Sequence, residues 1–206
     1  MNPFFLGTSQ RRLFGIHAPA AHRGGRPRAA VLCQPWGDEY VYAHRSMRQL
    51  AIRLSLCGFH TLRFDYFGTG DSAGEEWDID MAGLEADVLT AIEFLKDIAA
   101  VEKVILIGLR GGANIAASTA VRSPGVVEAL ILWDPIFPGD PCRDSVPHEL
   151  QALDIDALPG CSLILVTQSP RPPIEFLPAP CPWVESASTS GVIPVRVIQR
   201  IEEWLR

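Results

Sequence analysis

The chain has 206 residues, of which 48% are hydrophobic and 20% are charged, and its mean hydropathy is +0.14. This length and composition predict one globular domain over residues 1–206 and exclude an intrinsically disordered chain. The formal net charge of −6 argues against nucleic-acid binding. The sequence contains neither an apolar stretch long enough for a bilayer nor an apolar secretion leader, so we expect a cytoplasmic protein without a membrane span.

The cysteines predict reduced thiols. They are odd in number and none forms a CxxC pair, which argues against both a disulfide framework and a zinc site. No other motif indicates a metal or cofactor site, so we expect neither.

The first third of the chain predicts a hairpin, a strand and a helix. Short apolar runs flank a Gly- and Ser-containing turn within residues 4–18, as in an antiparallel hairpin. Residues 28–34 form an uninterrupted apolar run that ends at a Pro-Trp-Gly turn, which is typical of a buried strand. Residues 43–56 carry an apolar stripe at helical spacing, and Gly58 follows as the C-terminal stop.

Strands and helices alternate in the remainder. Strands are predicted at residues 59–66, 103–107, 127–133 and 162–167, with a weaker one at 182–185. Helices are predicted at residues 80–98 and 111–121, in a brief segment at 147–153, and from Pro194 to Leu205. This alternation predicts an α/β protein with a doubly wound, mostly parallel sheet, extended at one edge by the antiparallel hairpin.

Ligands of such sheets bind at the carboxyl ends of the strands, so the turns there carry the functional candidates. The turn Gly108-Leu109-Arg110-Gly111-Gly112 joins a buried strand to a helix, which is the context of a G-x-S-x-G nucleophile elbow with Arg110 at the central position. The glycines at 108 and 112 permit the sharp turn. Residues 65–72 read D-x-x-G-x-G-x-S, in which Gly68 and Gly70 form the turn and Asp71 is expected to hydrogen-bond within it.

Together these motifs resemble the α/β-hydrolase fold, in its serine aminopeptidase-like branch. The closest resemblance is to exosortase A system-associated hydrolase 2 proteins, which share the Gly-Leu-Arg elbow and the segments at residues 37–40 and 43–45. The resemblance implies a Ser-His-acid triad, but the chain has Arg110 at the nucleophile position, no His in residues 186–191 before the last helix, and no acid after residues 162–167. Residues 135–162 are too few for a substantial cap domain.

Two interpretations of Arg110 remain open. A guanidinium is always protonated and cannot attack a carbonyl, but it can bind an anion beside a helix N-terminus. That pocket would use backbone N–H groups of Trp36 and Gly111, with Glu39, Tyr40 and Asp134 around it. Alternatively, Arg110 braces the turns through an ion pair with Glu39, Asp65, Asp71 or Asp134.

Other titratable residues are weaker candidates. His44 is either a general base or a residue that caps or packs at the start of the first helix. Cys142 and His148, with Asp134, would form an improvised nucleophile pair if the fold brought them together.

The resulting hypothesis is a catalytically degenerate hydrolase-fold protein that binds a small anionic or peptidic ligand or a partner protein. The resemblance implies a setting in an export or biosynthetic gene cluster. One alternative is an active ester, thioester or amide hydrolase that uses non-standard residues. The other is an interaction protein that forms a homodimer.

Overall fold

The computed structural model describes residues 2–22, 25–35, 37–138, 153–167, 171, 174–177 and 194–206. It confirms the α/β-hydrolase-like architecture: one eight-stranded sheet has the order β1-β2-β4-β3-β5-β6-β7-β8. The strands are β1 (Asn2–Gly7), β2 (Arg12–Ala18), β3 (Arg28–Cys33), β4 (Phe59–Phe64), β5 (Val104–Leu109), β6 (Val127–Trp133), β7 (Ser162–Val166) and β8 (Glu175–Phe176). The helices are α1 (Asp38–Leu56), α2 (Met81–Ala99), α3 (Gly111–Arg122) and α4 (Val195–Trp204), with a 3₁₀ turn at Glu76–Asp78.

The parallel strands are buried on both faces, which explains why they read as continuous apolar runs. In β3, Val31 and Cys33 pack with α2 and α3, whereas Ala30 and Leu32 pack with α1 and α4. Because successive side chains of a strand point to opposite faces, one short run supplies both cores.

The N-terminal hairpin forms the antiparallel edge, as predicted. β1 pairs with β2, and β2 pairs antiparallel with β4. Arg11 lies in the turn between β1 and β2 and donates two hydrogen bonds to Asp87 of α2, at 2.6 and 3.1 Å. The hairpin is therefore tied to the sheet and to the helix that covers it.

The start of α1 differs from the prediction, and one strand of the structure was not predicted. α1 begins at Asp38 rather than at residue 43, because its first turn is fixed by contacts to distant residues and not by an apolar stripe: Val41 and Tyr42 are exposed. The two-residue strand β8 was not predicted. The predicted strand at 182–185 and most of the brief helix at 147–153 lie outside the described residues.

No helix in the described part of the chain is both long enough and apolar enough to cross a bilayer.

Candidate functional site

A buried polar residue follows each of five consecutive parallel strands at the carboxyl edge of the sheet. These residues come directly after β3, β4, β5, β6 and β7, and each is at most 7% exposed: Gln34, Asp65, Arg110, Asp134 and Thr167. A buried polar group is costly unless it is hydrogen-bonded. We therefore expect a network of hydrogen bonds along this edge.

The turn at Arg110 has the backbone of a sharp strand-to-helix elbow. Arg110 has φ 53° and ψ −126°, a conformation that non-glycine residues rarely adopt. A Cβ atom at Gly108 would overlap the backbone of Ala113, and one at Gly112 would overlap the carbonyl oxygens of Cys33 and Gln34. The flanking glycines are thus required by the close approach of α3 to β5 and β3.

The Arg110 side chain is buried and paired. Its Nε donates to Glu39 at 3.0 Å, and a terminal nitrogen donates to the carbonyl oxygen of Asp134 at 3.4 Å. The side chains of Arg110 and Glu39 are only 7% and 17% exposed. Of the carboxylates proposed to brace this residue, Glu39 forms the ion pair, and Asp134 contributes through its main chain.

The neighbouring half of the edge is organised around Asp65. Its carboxylate accepts hydrogen bonds from the Gln34 amide at 3.3 Å, the Tyr40 hydroxyl at 2.9 Å and the backbone N–H of Asp71 at 3.1 Å. A Cβ atom at Gly70 would overlap this carboxylate. Asp71 therefore bonds within its turn as a donor, through its backbone N–H, and the Asp65 carboxylate is the acceptor.

Burial governs the ionisation of the residues around Asp65. Burial, more than any neighbouring charge, raises the pKa of the Asp65 carboxyl above its usual value, although the bonds from Asp71 and Tyr40 partly oppose the shift. Burial and the adjacent Asp65 also raise the pKa of the Tyr40 hydroxyl. Tyr40 consequently stays a hydrogen-bond donor at neutral pH.

Asp134 joins the ends of β6 and β7. Its carboxylate accepts from the backbone N–H of Thr167 at 2.6 Å and from the Thr167 hydroxyl. Like Arg110, it has a positive φ, 44°. One helical turn beyond Arg110, the Asn114 side chain donates to the carbonyl of Ile136 at 2.8 Å and accepts from its N–H at 2.9 Å, which fixes the chain after Asp134.

The structure brings Glu39, Tyr40, Arg110, Gly111 and Asp134 to this edge. His44 lies in the second turn of α1, exposed and edge-on to the Tyr40 ring at a centroid distance of 6.2 Å. It does not cap the helix, whose N-cap is Gly37, because α1 begins earlier than predicted. Trp36, Cys142 and His148 lie outside the described residues.

Sequence reasoning missed Gln34, Asn114 and Thr167 as members of the network. Gln34 and Thr167 carry a usable signal, since each is the first polar residue after an apolar strand. Asn114 carries none, because its partner lies 22 residues away and is a backbone group.

A family comparison shows which family the chain belongs to. The sequence profile of the family described as serine aminopeptidase, S33, matches residues 28–157. The chain belongs to the serine aminopeptidase family. The match begins at β3 and contains the whole Arg110 elbow and the Asp65 turn.

The chain is also similar to curated proteins over part of its length. The chain is 34% identical over 107 residues to (lyso)-N-acylphosphatidylethanolamine lipase of Homo sapiens and 33% identical to that of Bos taurus. Each match covers 52% of this chain but 29% of the lipase, so the chain spans under a third of these relatives' length.

Solved structures share the fold. Est1E from Butyrivibrio proteoclasticus, determined with ferulic acid bound, superposes with a TM-score of 0.73 at 12% identity, over 98% of this chain and 97% of that one. A serine hydrolase without lid from Xanthomonas campestris superposes with a TM-score of 0.62 at 19% identity, over 81% of this chain and 70% of that one. At these identities the likeness shows the fold alone.

Proposed function

We propose that this chain is a non-hydrolytic member of the serine aminopeptidase family that binds a ligand at the carboxyl edge of its sheet. One observation carries the proposal: a buried, ion-paired guanidinium stands at the elbow position where hydrolases of this fold hold their nucleophile. Arginine has no lone pair to attack a carbonyl and does not deprotonate in proteins. The strained turn is thus retained while its side chain serves another purpose.

The ligand class follows from what already contacts Arg110. A carboxylate, that of Glu39, accepts from its Nε, and the N-terminus of α3 lies directly beside it. Both features favour an anion. We propose a small carboxylate or the carboxyl terminus of a peptide, which would share or exchange this position with Glu39.

The finer resemblance belongs to the same proposal. The Gly-Leu-Arg elbow and the segments at residues 37–40 and 43–45 support a relation to the hydrolase 2 proteins of exosortase A systems. An accessory role in a biosynthetic or export cluster, with the protein in the cytoplasm, is the setting this implies.

A substrate panel tests the absence of hydrolysis. It contains p-nitrophenyl esters, acyl thioesters and N-acylphosphatidylethanolamine, the last because of the lipase relatives. We expect no turnover above the uncatalysed rate and no labelling by a fluorophosphonate probe. Turnover by the unaltered protein that Arg110→Ala abolishes would refute the proposal.

Thermal shift tests the binding. Small dicarboxylates, inorganic phosphate and short peptides with free or amidated carboxyl termini are compared. We expect stabilisation by carboxylates that Arg110→Met removes and His44→Gln, an exposed change on α1, does not. If only a second copy of the chain binds, detected by light scattering over a concentration series, the homodimer alternative replaces the ligand.

A further inference from the structure

A pair of histidines lies at the opposite end of the sheet from Arg110. His17 of β2 and His60 of β4 are diagonal neighbours across the antiparallel pair, in which His17 faces Leu62 and Ala18 faces Thr61. Their rings are stacked with an interplanar angle of 11° and a centroid distance of 5.4 Å. His17 Nε2 and His60 Nδ1 are 3.2 Å apart.

We propose that His17 and His60 form a chelating site for a divalent transition metal, with Cu²⁺ preferred over Zn²⁺ and Ni²⁺. Imidazole nitrogen suits these three ions, and Cu²⁺ binds most tightly to a given set of nitrogen ligands. This inference is independent of the proposed function, because the pair lies near the amino end of β4 and the candidate site follows its carboxyl end.

The spacing of the two nitrogens fits a shared metal ion. Metal–nitrogen bonds of about 2.0–2.1 Å place their nitrogens about 2.9 Å apart at a right angle and about 3.4 Å apart at a tetrahedral angle, so a separation between these values suits a shared ion. The observed separation is 3.2 Å. At this distance the two rings form a hydrogen bond, in which the donor depends on the tautomer, and a bound metal ion would replace that bond.

His17 has the protonation state, and His60 the access, that a metal needs. Burial and, secondarily, the neighbouring His60 lower the pKa of His17 to about 4, so His17 is neutral at pH 7. His60 lines a cleft of about 310 Å³ together with Ile98 of α2 and Pro27, and the exposed His22 lines the same cleft. Metal ions can enter there.

The site would hold two protein ligands and water. In the described part of the chain, no three His, Cys, Asp or Glu side chains are arranged around one point. A two-imidazole site without a carboxylate binds more weakly than a closed structural site. Its effect would be to link the N-terminal hairpin to β4.

Calorimetric titration tests the proposal on the chain after treatment with EDTA and dialysis. We expect one Cu²⁺ per chain, binding weakened about tenfold or more in His17→Gln and in His60→Gln, and no change in His44→Gln, which removes an imidazole far from the pair. Unchanged binding in the double variant His17→Gln/His60→Gln, or no binding to the unaltered chain, would overturn it.

A second measurement uses the unaltered protein and so does not depend on the folding of the variants. In a ¹⁵N-histidine-labelled sample, substoichiometric Cu²⁺ should broaden the ring signals of His17 and His60 first, and electron paramagnetic resonance should show two coupled nitrogens. First broadening at other histidines would contradict the site.

Discussion

The two halves of the carboxyl edge each bury a charged side chain, and the two charges are opposite. The half after β3 and β4 is built around an anion, Asp65, that accepts bonds from neutral donors. The half after β5 and β6 is built around a cation, Arg110, that donates to an anion and to a carbonyl. α1 joins them, since Tyr40 serves the first half and Glu39 the second.

The difference lies in what remains when one member is removed. Without one of its neutral donors, Asp65 keeps others and can take up a proton, because burial has already raised its pKa. Without Arg110, the Glu39 carboxylate loses its paired charge in a largely buried position. The cationic half should therefore be the less tolerant of substitution.

The largest expected effect comes from Arg110→Met. It keeps much of the side-chain volume but removes the charge, and breaking a buried ion pair destabilises a protein by about 3–5 kcal/mol. Chemical denaturation measures this loss. In the double variant Glu39→Gln/Arg110→Met the loss should be clearly smaller than the sum of the single losses, and additivity would contradict the pairing.

Gly112→Ala tests the backbone of the same half. Its Cβ would overlap the carbonyl oxygens of Cys33 and Gln34, which are main-chain atoms that cannot rotate away. We expect a loss of about 1–3 kcal/mol, the usual range for overpacking. Gly125→Ala is the matched control, since nothing lies within 4 Å of a Cβ there. Equal losses in the two variants would contradict the expected overlap at position 112.

Tyr40→Phe tests the anionic half and should cost less. It removes one of several donors to Asp65, and a single hydrogen bond contributes about 0.5–1.5 kcal/mol. Tyr42→Phe, two residues along the helix and 44% exposed, should leave the unfolding free energy unchanged. A loss as large as that of Arg110→Met would erase the contrast between the halves.

The smallest effect is the pH dependence that Asp65 contributes. Because its pKa is raised in the folded protein, the stability it contributes is present at low pH and is lost as pH rises through that pKa. Asp65→Asn mimics the protonated form, so its destabilising effect should be smaller at about pH 7 than at about pH 4.5. Denaturation at both values checks this, and a larger effect at the higher pH would reverse the assigned shift.

The sequence predicted the fold where local patterns decide it. The apolar runs of β3, β5 and β6, and the glycine spacing around Arg110, are local signals, and the structure places these elements as expected. The start of α1 could not be predicted, because Glu39 and Tyr40 are fixed by residues 71 and 25 positions away. Pairing of His17 with His60, 43 residues apart, depends on strand register in the same way.

Residues of the candidate site could be identified by position but not by partner. The turns after the parallel strands were predictable from topology, and Arg110 stood out against the elbow pattern. Four carboxylates were equally eligible to pair with it in the sequence. The course of α1 selects Glu39, because it places Glu39 beside Arg110. The next residue, Tyr40, then lies beside Asp65.

Glu39 and Tyr40 are adjacent, and a helix turns by about 100° per residue, so consecutive side chains reach the turns after β5 and β4 on either side of β3. Placing a serine at position 110 would therefore leave the Glu39 carboxylate without its cation. Introducing a serine at this turn without leaving a largely buried, unpaired carboxylate would require changing positions 39 and 110 together.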